Sequence, residues 1–211
     1  MIGVRRVAIP PLYAIVDPLR TGRAPADLAA ALLAGGARLL QLRLKDAAAR
    51  DLLAAADAIR ALTRRYGALF LVNDRPDVAL AVGADGVHLG QDDLPVAHAR
   101  RILGPERYIG VSTHDEGEAR SAVAAGADYI GFGPICATTS KADALPARGL
   151  ARLRALRPLV PCPIVAIGGI TADTATTVRT AGADAVAMIA ALVEAPDVVA
   201  ATRDVVTRLG R

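Results

Sequence analysis

A short motif recurs through this chain and constrains what it can fold into. Gly36-Ala37, Gly83-Ala84-Asp85, Gly126-Ala127-Asp128 and Gly182-Ala183-Asp184 each stand just before a short apolar run, at steps of 47, 43 and 56 residues. Each step holds about two βα units. Glycine at such a point ends a helix in the left-handed conformation, and the small Ala lets the chain turn tightly into a strand. The runs are Leu12–Val16, 38–42, 69–72, Gly86–Leu89, 108–111, Tyr129–Phe132, Ile164–Ile167 and 185–189. They lack clean alternation, as strands buried on both faces do.

Between the runs lie segments of helical period. In 51–66, Leu52, Ala55, Ala56, Ile59, Leu62 and Thr63 recur three or four apart. Pro25, Pro95 and Asp115 mark helix starts. An open doubly wound sheet would need a glycine-rich dinucleotide turn after the first strand, and Asp17-Pro18-Leu19-Arg20 is not one. The fold expected is therefore α/β, a single (β/α)8 TIM barrel over residues 1–211.

Composition narrows the function. Aromatic residues make up 3% of the chain and Trp is absent, so the core must come from Ala, Val, Leu and Ile. The net charge of +4 favours anionic ligands, but no basic run with interleaved aromatics suggests nucleic acid. Cys136 and Cys162 form no metal-binding pattern. With no apolar run of membrane length and no signal-peptide pattern, a cytoplasmic protein acting on small molecules is expected, without nucleic-acid or membrane partners.

In a barrel of this kind, chemistry gathers where strands end and βα loops begin. After the second run, alternation puts Gln41, Arg43 and Lys45 on one face, which suits a phosphorylated, hydrogen-bonding ligand. After the third and fourth runs stand Asn73-Asp74 and Gln91-Asp92-Asp93. Two carboxylates facing a diphosphate make a minimal Mg2+ site. Asp74 and Asp93 also precede Pro76 and Pro95, where either would serve as a helix N-cap. His88 reads as a hydrogen-bonded histidine of the core. Ser112 is placed to donate to a phosphate oxygen; His114 is its near neighbour, but no nucleophile elbow is present. Thr138, Ser140 and Lys141 form an anion cradle after the sixth run. Gly168-Gly169 and the helix entered at Ile189-Ala190 make a phosphate site after the seventh and eighth.

Taken in order, several stretches resemble the thiamine-phosphate synthase family. They are Leu12-Tyr13 with Val16-Asp17, the Gln-x-Arg-x-Lys of 41–45, Asn73-Asp74-Arg75, 84–95, 110–114, 126–131, Gly133-Pro134-Ile135 with Thr138, Ser140 and Lys141, and 166–170. The resemblance implies a transferase that joins hydroxymethylpyrimidine diphosphate to a thiazole phosphate by dissociative loss of diphosphate. It implies that Gln41, Arg43, Lys45, Asn73, Ser112 and Lys141 hold the pyrimidine diphosphate. Asp74 and Asp93 would hold Mg2+. Thr138, Ser140, Gly169, Ile189 and Ala190 would hold the thiazole phosphate. Lys45, Ser112 and Lys141 would stabilise the leaving group.

Cys136 stands where the family usually has an aromatic residue, Ser140 where it has Thr, and Ala190 where a Ser commonly follows the Ile. A related thiazole tautomerase, which typically has His in place of Pro134, and a non-catalytic phosphate-binding barrel are the alternatives. Pro134, Asp74 and Asp93 disfavour the tautomerase, and Lys45, Asp74, Asp93 and Lys141 disfavour the non-catalytic barrel.

Overall fold

The computed structural model describes residues 8–137 and 146–210. Eight parallel strands close into a barrel in chain order, β1 (Leu12–Val16), β2 (Leu39–Leu42), β3 (Leu69–Asn73), β4 (Gly86–Leu89), β5 (Tyr108–Thr113), β6 (Tyr129–Phe132), β7 (Ile164–Ile167) and β8 (Ala185–Met188). Closure comes from β1 pairing with β8, Tyr13 opposite Ala187. The expected barrel is thus observed, with strand limits within two residues of the apolar runs.

Around it lie α1 (Pro25–Ala34), α2 (Ala49–Tyr66), α3 (Pro76–Ala81), α4 (Val96–Leu103), α5 (Glu116–Ala124), α6 (Gly149–Leu156), α7 (Ala172–Thr180), α8 (Ala190–Val193) and α9 (Val198–Leu209). Asp115 caps α5 by accepting from the Glu118 N–H. Among the described residues no helix is long and apolar enough to cross a membrane.

The repeated motif has a physical cause. At Gly36, Gly83, Gly126 and Gly182 φ is positive, between +64° and +118°. Ala37, Ala84 and Ala127 then donate to carbonyls five residues back, at Leu32, Ala79 and Ala122. This is the helix-ending turn that only glycine adopts without strain.

The aspartates that follow do a second job. Asp85, Asp128 and Asp184 each accept a backbone N–H from the start of the preceding strand, at Phe70, Ile109 and Ile164, at 2.7–2.8 Å. Each also pairs with an arginine from an outer segment: Arg60, Arg100 and Arg157 respectively. The N-terminal end of the barrel is therefore pinned three times by the same clamp.

Inside the barrel the residue types change with height. Leu39, Leu69, Leu71, Tyr108 and Tyr129 line one interior space near the N-terminal end. Higher up, the lumen holds Tyr13, Gln41, His88 and Ser112 linked by hydrogen bonds. β5 admits these rings by lacking a side chain: a Cβ on Gly110 would lie 1.9 Å from Cζ of Tyr129.

Candidate functional site

The strand ends bring most of the expected residues to one mouth. Gln41 sits in β2, 3% exposed, and its amide Nε2 donates to the Tyr13 hydroxyl at 2.7 Å. β2 ends at Leu42, so the shared strand face expected for Gln41, Arg43 and Lys45 fans out beyond it. Arg43 turns to β1, where Nη1 meets Asp17 Oδ2 at 2.5 Å. Lys45 turns to β3, where Nζ meets Asp74 Oδ2 at 2.5 Å. Asp17 is 1% exposed, and its Oδ1 is buried without a partner among the described residues. A buried carboxylate beside a guanidinium holds that guanidinium in one place. The Asp17–Arg43 pairing is not foreseen by the sequence, although Asp17's place at the end of the first run was available.

Asp74 leaves β3 in the left-handed region, at φ 63°, with its N–H bonded to the His88 carbonyl at 2.8 Å. A non-glycine residue there is uncommon. Burial pushes its carboxyl above the ordinary value, the facing Asp93 carboxyl pushes it further, and Lys45 pulls it back. Asp93 accepts the Gly90 N–H at 2.7 Å, which closes the turn after β4.

Neither carboxylate caps a helix. The N-caps of α3 and α4 are Arg75 and Pro95, and neither makes a side-chain capping bond. The alternative of plain helix capping for Asp74 and Asp93 is thereby set aside. Although Asp93 also closes a turn, two carboxyls held against each other beside a single Lys suit a cation. The donors are all oxygen, as a hard divalent ion requires. Among the described residues no group of three or more His, Cys, Asp or Glu is placed for a metal. A cation held here by two carboxylates would take its other ligands from water and substrate, which is the habit of Mg2+.

Asn73, half-buried, ends β3 opposite His88. Ser112 lies near the end of β5 with its Oγ 2.9 Å from His88 Nε2, and its carbonyl accepts from the Gln91 amide at 2.5 Å. His114 turns away from Ser112 and bonds Glu118 through both its backbone N–H and its ring Nδ1. The sequence-adjacent pair therefore does not meet, while His88, 24 positions away, does meet the serine. His88 is hydrogen-bonded inside the barrel, as expected. Its partners, Tyr129 and Ser112, make it part of the mouth rather than of the packing alone.

Thr138, Ser140 and Lys141 lie outside the described residues. The loops after β6 and β7 are joined by Ile135 N–H to Ile167 O at 2.8 Å and Cys136 N–H to Gly168 O at 3.0 Å. A Cβ on Gly169 would meet the Ala137 carbonyl at 2.2 Å. Close packing of these loops is sufficient reason for that glycine. Ile189 is the buried N-cap of the four-residue α8, which opens with Ala190 at the same end of the barrel.

Comparison with known proteins places the chain in a family. The thiamine monophosphate synthase family model matches residues 12–192. A thiamine-phosphate synthase of Moorella thermoacetica is 52% identical over 93% of this chain and 96% of its own length. One from Methanoculleus marisnigri is 52% identical over 94% of each. The solved thiamine phosphate pyrophosphorylase from Pyrococcus furiosus superposes with a TM-score of 0.87 at 40% identity, over 95% of both chains. A 3-hexulose-6-phosphate synthase, at 18% identity and a TM-score of 0.68, shares the fold alone. With its carboxylate pair, lysine and serine on the same strand ends that the sequence motifs mark, the chain belongs to the thiamine monophosphate synthase family.

Proposed function

We propose that this enzyme condenses 4-amino-2-methyl-5-(diphosphooxymethyl)pyrimidine with a thiazole phosphate, giving thiamine phosphate and diphosphate. The observation that carries the reading is the Asp74–Asp93 pair beside Lys45, at a barrel mouth in a chain about half identical to thiamine-phosphate synthases. Asp74 and Asp93 would hold Mg2+, which supplies charge neutralisation for the departing diphosphate. Lys45 and Ser112, with Lys141, would place cationic and O–H donors on the same oxygens, where negative charge grows as the C–O bond breaks.

Arg43, fixed by Asp17, and Asn73 would hold the diphosphate from the β1 and β3 sides. Gln41 keeps one N–H and its carbonyl for the pyrimidine, since Tyr13 takes only one amide hydrogen. Gly169, Ile189 and Ala190 would receive the thiazole phosphate with backbone N–H groups, with Thr138 and Ser140 adding hydroxyls. A dissociative displacement needs no protein nucleophile, in keeping with Ser112 being held by a histidine that faces a phenol rather than a carboxylate. Being a biosynthetic catalyst of small polar molecules, the protein would act in the cytoplasm.

The test is formation of thiamine phosphate by purified protein from both substrates with Mg2+, beside Asp93→Ala. Product that requires Mg2+ and falls at least about a hundredfold in the variant is expected. Absence of product from folded protein that binds the pyrimidine diphosphate would overturn the reading, and thiazole tautomerase activity would be measured next.

A further inference from the structure

A continuous chain of hydrogen bonds crosses the barrel lumen beneath the mouth. Gln41 Nε2 lies 2.7 Å from the Tyr13 hydroxyl, which lies 3.1 Å from the Tyr129 hydroxyl. That hydroxyl lies 2.9 Å from His88 Nδ1, and His88 Nε2 lies 2.9 Å from Ser112 Oγ. The chain links β2, β1, β6, β4 and β5, and its two phenols are each 1% exposed.

We propose that this chain is polarised from Gln41 to Ser112, so that Tyr13, Tyr129 and His88 are positioning residues that turn the Ser112 hydroxyl proton outward, toward the leaving diphosphate. The inference rests on the reading of Ser112 as a diphosphate donor and adds the groups that orient it.

Counting protons gives the direction. An amide nitrogen only donates, so Tyr13 accepts from Gln41; its own buried proton needs an acceptor, and the Tyr129 hydroxyl at 3.1 Å supplies one. Tyr129 then spends its proton on His88, whose Nδ1 must be bare. A neutral imidazole with a bare Nδ1 carries its proton on Nε2, which donates to Ser112 Oγ. The serine oxygen is thereby occupied as an acceptor, and its own proton is left to point away from the histidine. The reverse polarity, with the Gln41 carbonyl toward Tyr13, would invert every link and make His88 a base for Ser112. The two polarities give opposite chemistries: a donor to a leaving group, or an activated nucleophile.

The surroundings hold the chain in place. Burial raises the pKa of both phenols, so they stay protonated and transmit orientation rather than charge. Tyr13 meets Tyr129 edge-on, with centroids 6.1 Å apart, and His88 stacks on Tyr129 at 5.6 Å. Gly110 and Gly131 give these rings their space: a Cβ on Gly131 would lie 3.1 Å from His88 Cε1. Fixed donors of this kind help most when charge develops in a dry site, because they need no reorganisation.

The test begins without substrate. The chain has three histidines, His88, His98 and His114, so 15N ring signals can be assigned with His98→Gln and His114→Gln. At alkaline pH, where the imidazole is neutral, His88 is expected as the Nε2–H tautomer, shifting toward Nδ1–H in Tyr129→Phe. An Nδ1–H tautomer in the wild-type protein overturns the proposal.

Kinetics supply the second arm. Tyr129→Phe should lower kcat about ten- to a hundredfold with the KM for pyrimidine diphosphate within about threefold, and Tyr13→Phe should lower it less. Tyr129→Phe combined with Ser112→Ala should lose no more than Ser112→Ala alone, because the relay acts only through the serine. Multiplying losses would overturn the proposal. If the wild-type protein made no thiamine phosphate, the tautomer measurement would still decide the polarity. The wrong tautomer in an active enzyme would sink the relay and leave the synthase reading intact.

Discussion

Apart from Asp17, which Arg43 matches at the mouth, the two ends of this barrel use aspartate in opposite ways. At the N-terminal end, Asp85, Asp128 and Asp184 each sit against a backbone N–H and an arginine. Every such carboxylate is matched by a cation and a donor, and the three clamps repeat one geometry. At the C-terminal mouth, Asp74 and Asp93 sit against each other, with Lys45 as the nearby cation on Asp74. Burial and like charge push the Asp74 carboxyl up, so folding does not gain from that arrangement. A closed set of charges marks a structural joint, and an unbalanced one marks a place waiting for a ligand.

Substitutions can break or sharpen that contrast. The largest effect expected is on activity: Asp93→Ala should cost at least about a hundredfold in kcat/KM while the melting temperature moves little. An equal collapse of stability would mean that the mouth, too, is a structural joint. Next comes Asp128→Ala, which strips the Ile109 N–H and Arg100 of their shared partner at an almost fully buried carboxylate. It should cost about 3 kcal/mol, or about 6 to 12 °C in melting temperature for a chain of this size. Its kcat/KM at 25 °C should stay near that of the wild type.

Asp184→Ala removes the same two contacts where the carboxylate is half-exposed, 48% against 8% for Asp128. Solvent screening reduces the expected cost to about 1 kcal/mol, and equal losses at the two sites would show that exposure does not rank the clamps. The smallest effect has the opposite sign. In metal-free protein, Asp74→Asn should raise stability by about 0.5 kcal/mol, since burial and Asp93 together outweigh the Lys45 contact. Calorimetry that finds a loss instead would show that the Lys45–Asp74 bond dominates the mouth.

Much of the fold was legible because its causes are local. The apolar run 12–16 became β1 and 164–167 became β7, since a strand buried on both faces needs an unbroken apolar segment whatever its neighbours. Gly83 and Gly126 were legible for a similar reason, as a left-handed helix end is a property of one residue. The site was legible at the strand ends, where Asp74, Asp93, Ser112 and Lys45 reach one mouth. The reach of Arg43 to Asp17 and of Lys45 to Asp74 was not, because β2 stops at Leu42 and the residues beyond it leave the alternating geometry.

The sequence by itself determined the strands, the turns between them and the residue types carried to the mouth, because periodicity, glycine conformation and side-chain chemistry act over a few residues. Only the tertiary structure decided which of those groups meet. Tyr13 finds Tyr129 across 116 positions, His88 takes Ser112 rather than leaving it to His114, and Asp74 faces Asp93. Those partnerships follow from the register and closure of the barrel, which brings distant strands around one lumen, and no local pattern in the chain encodes a distance across that lumen.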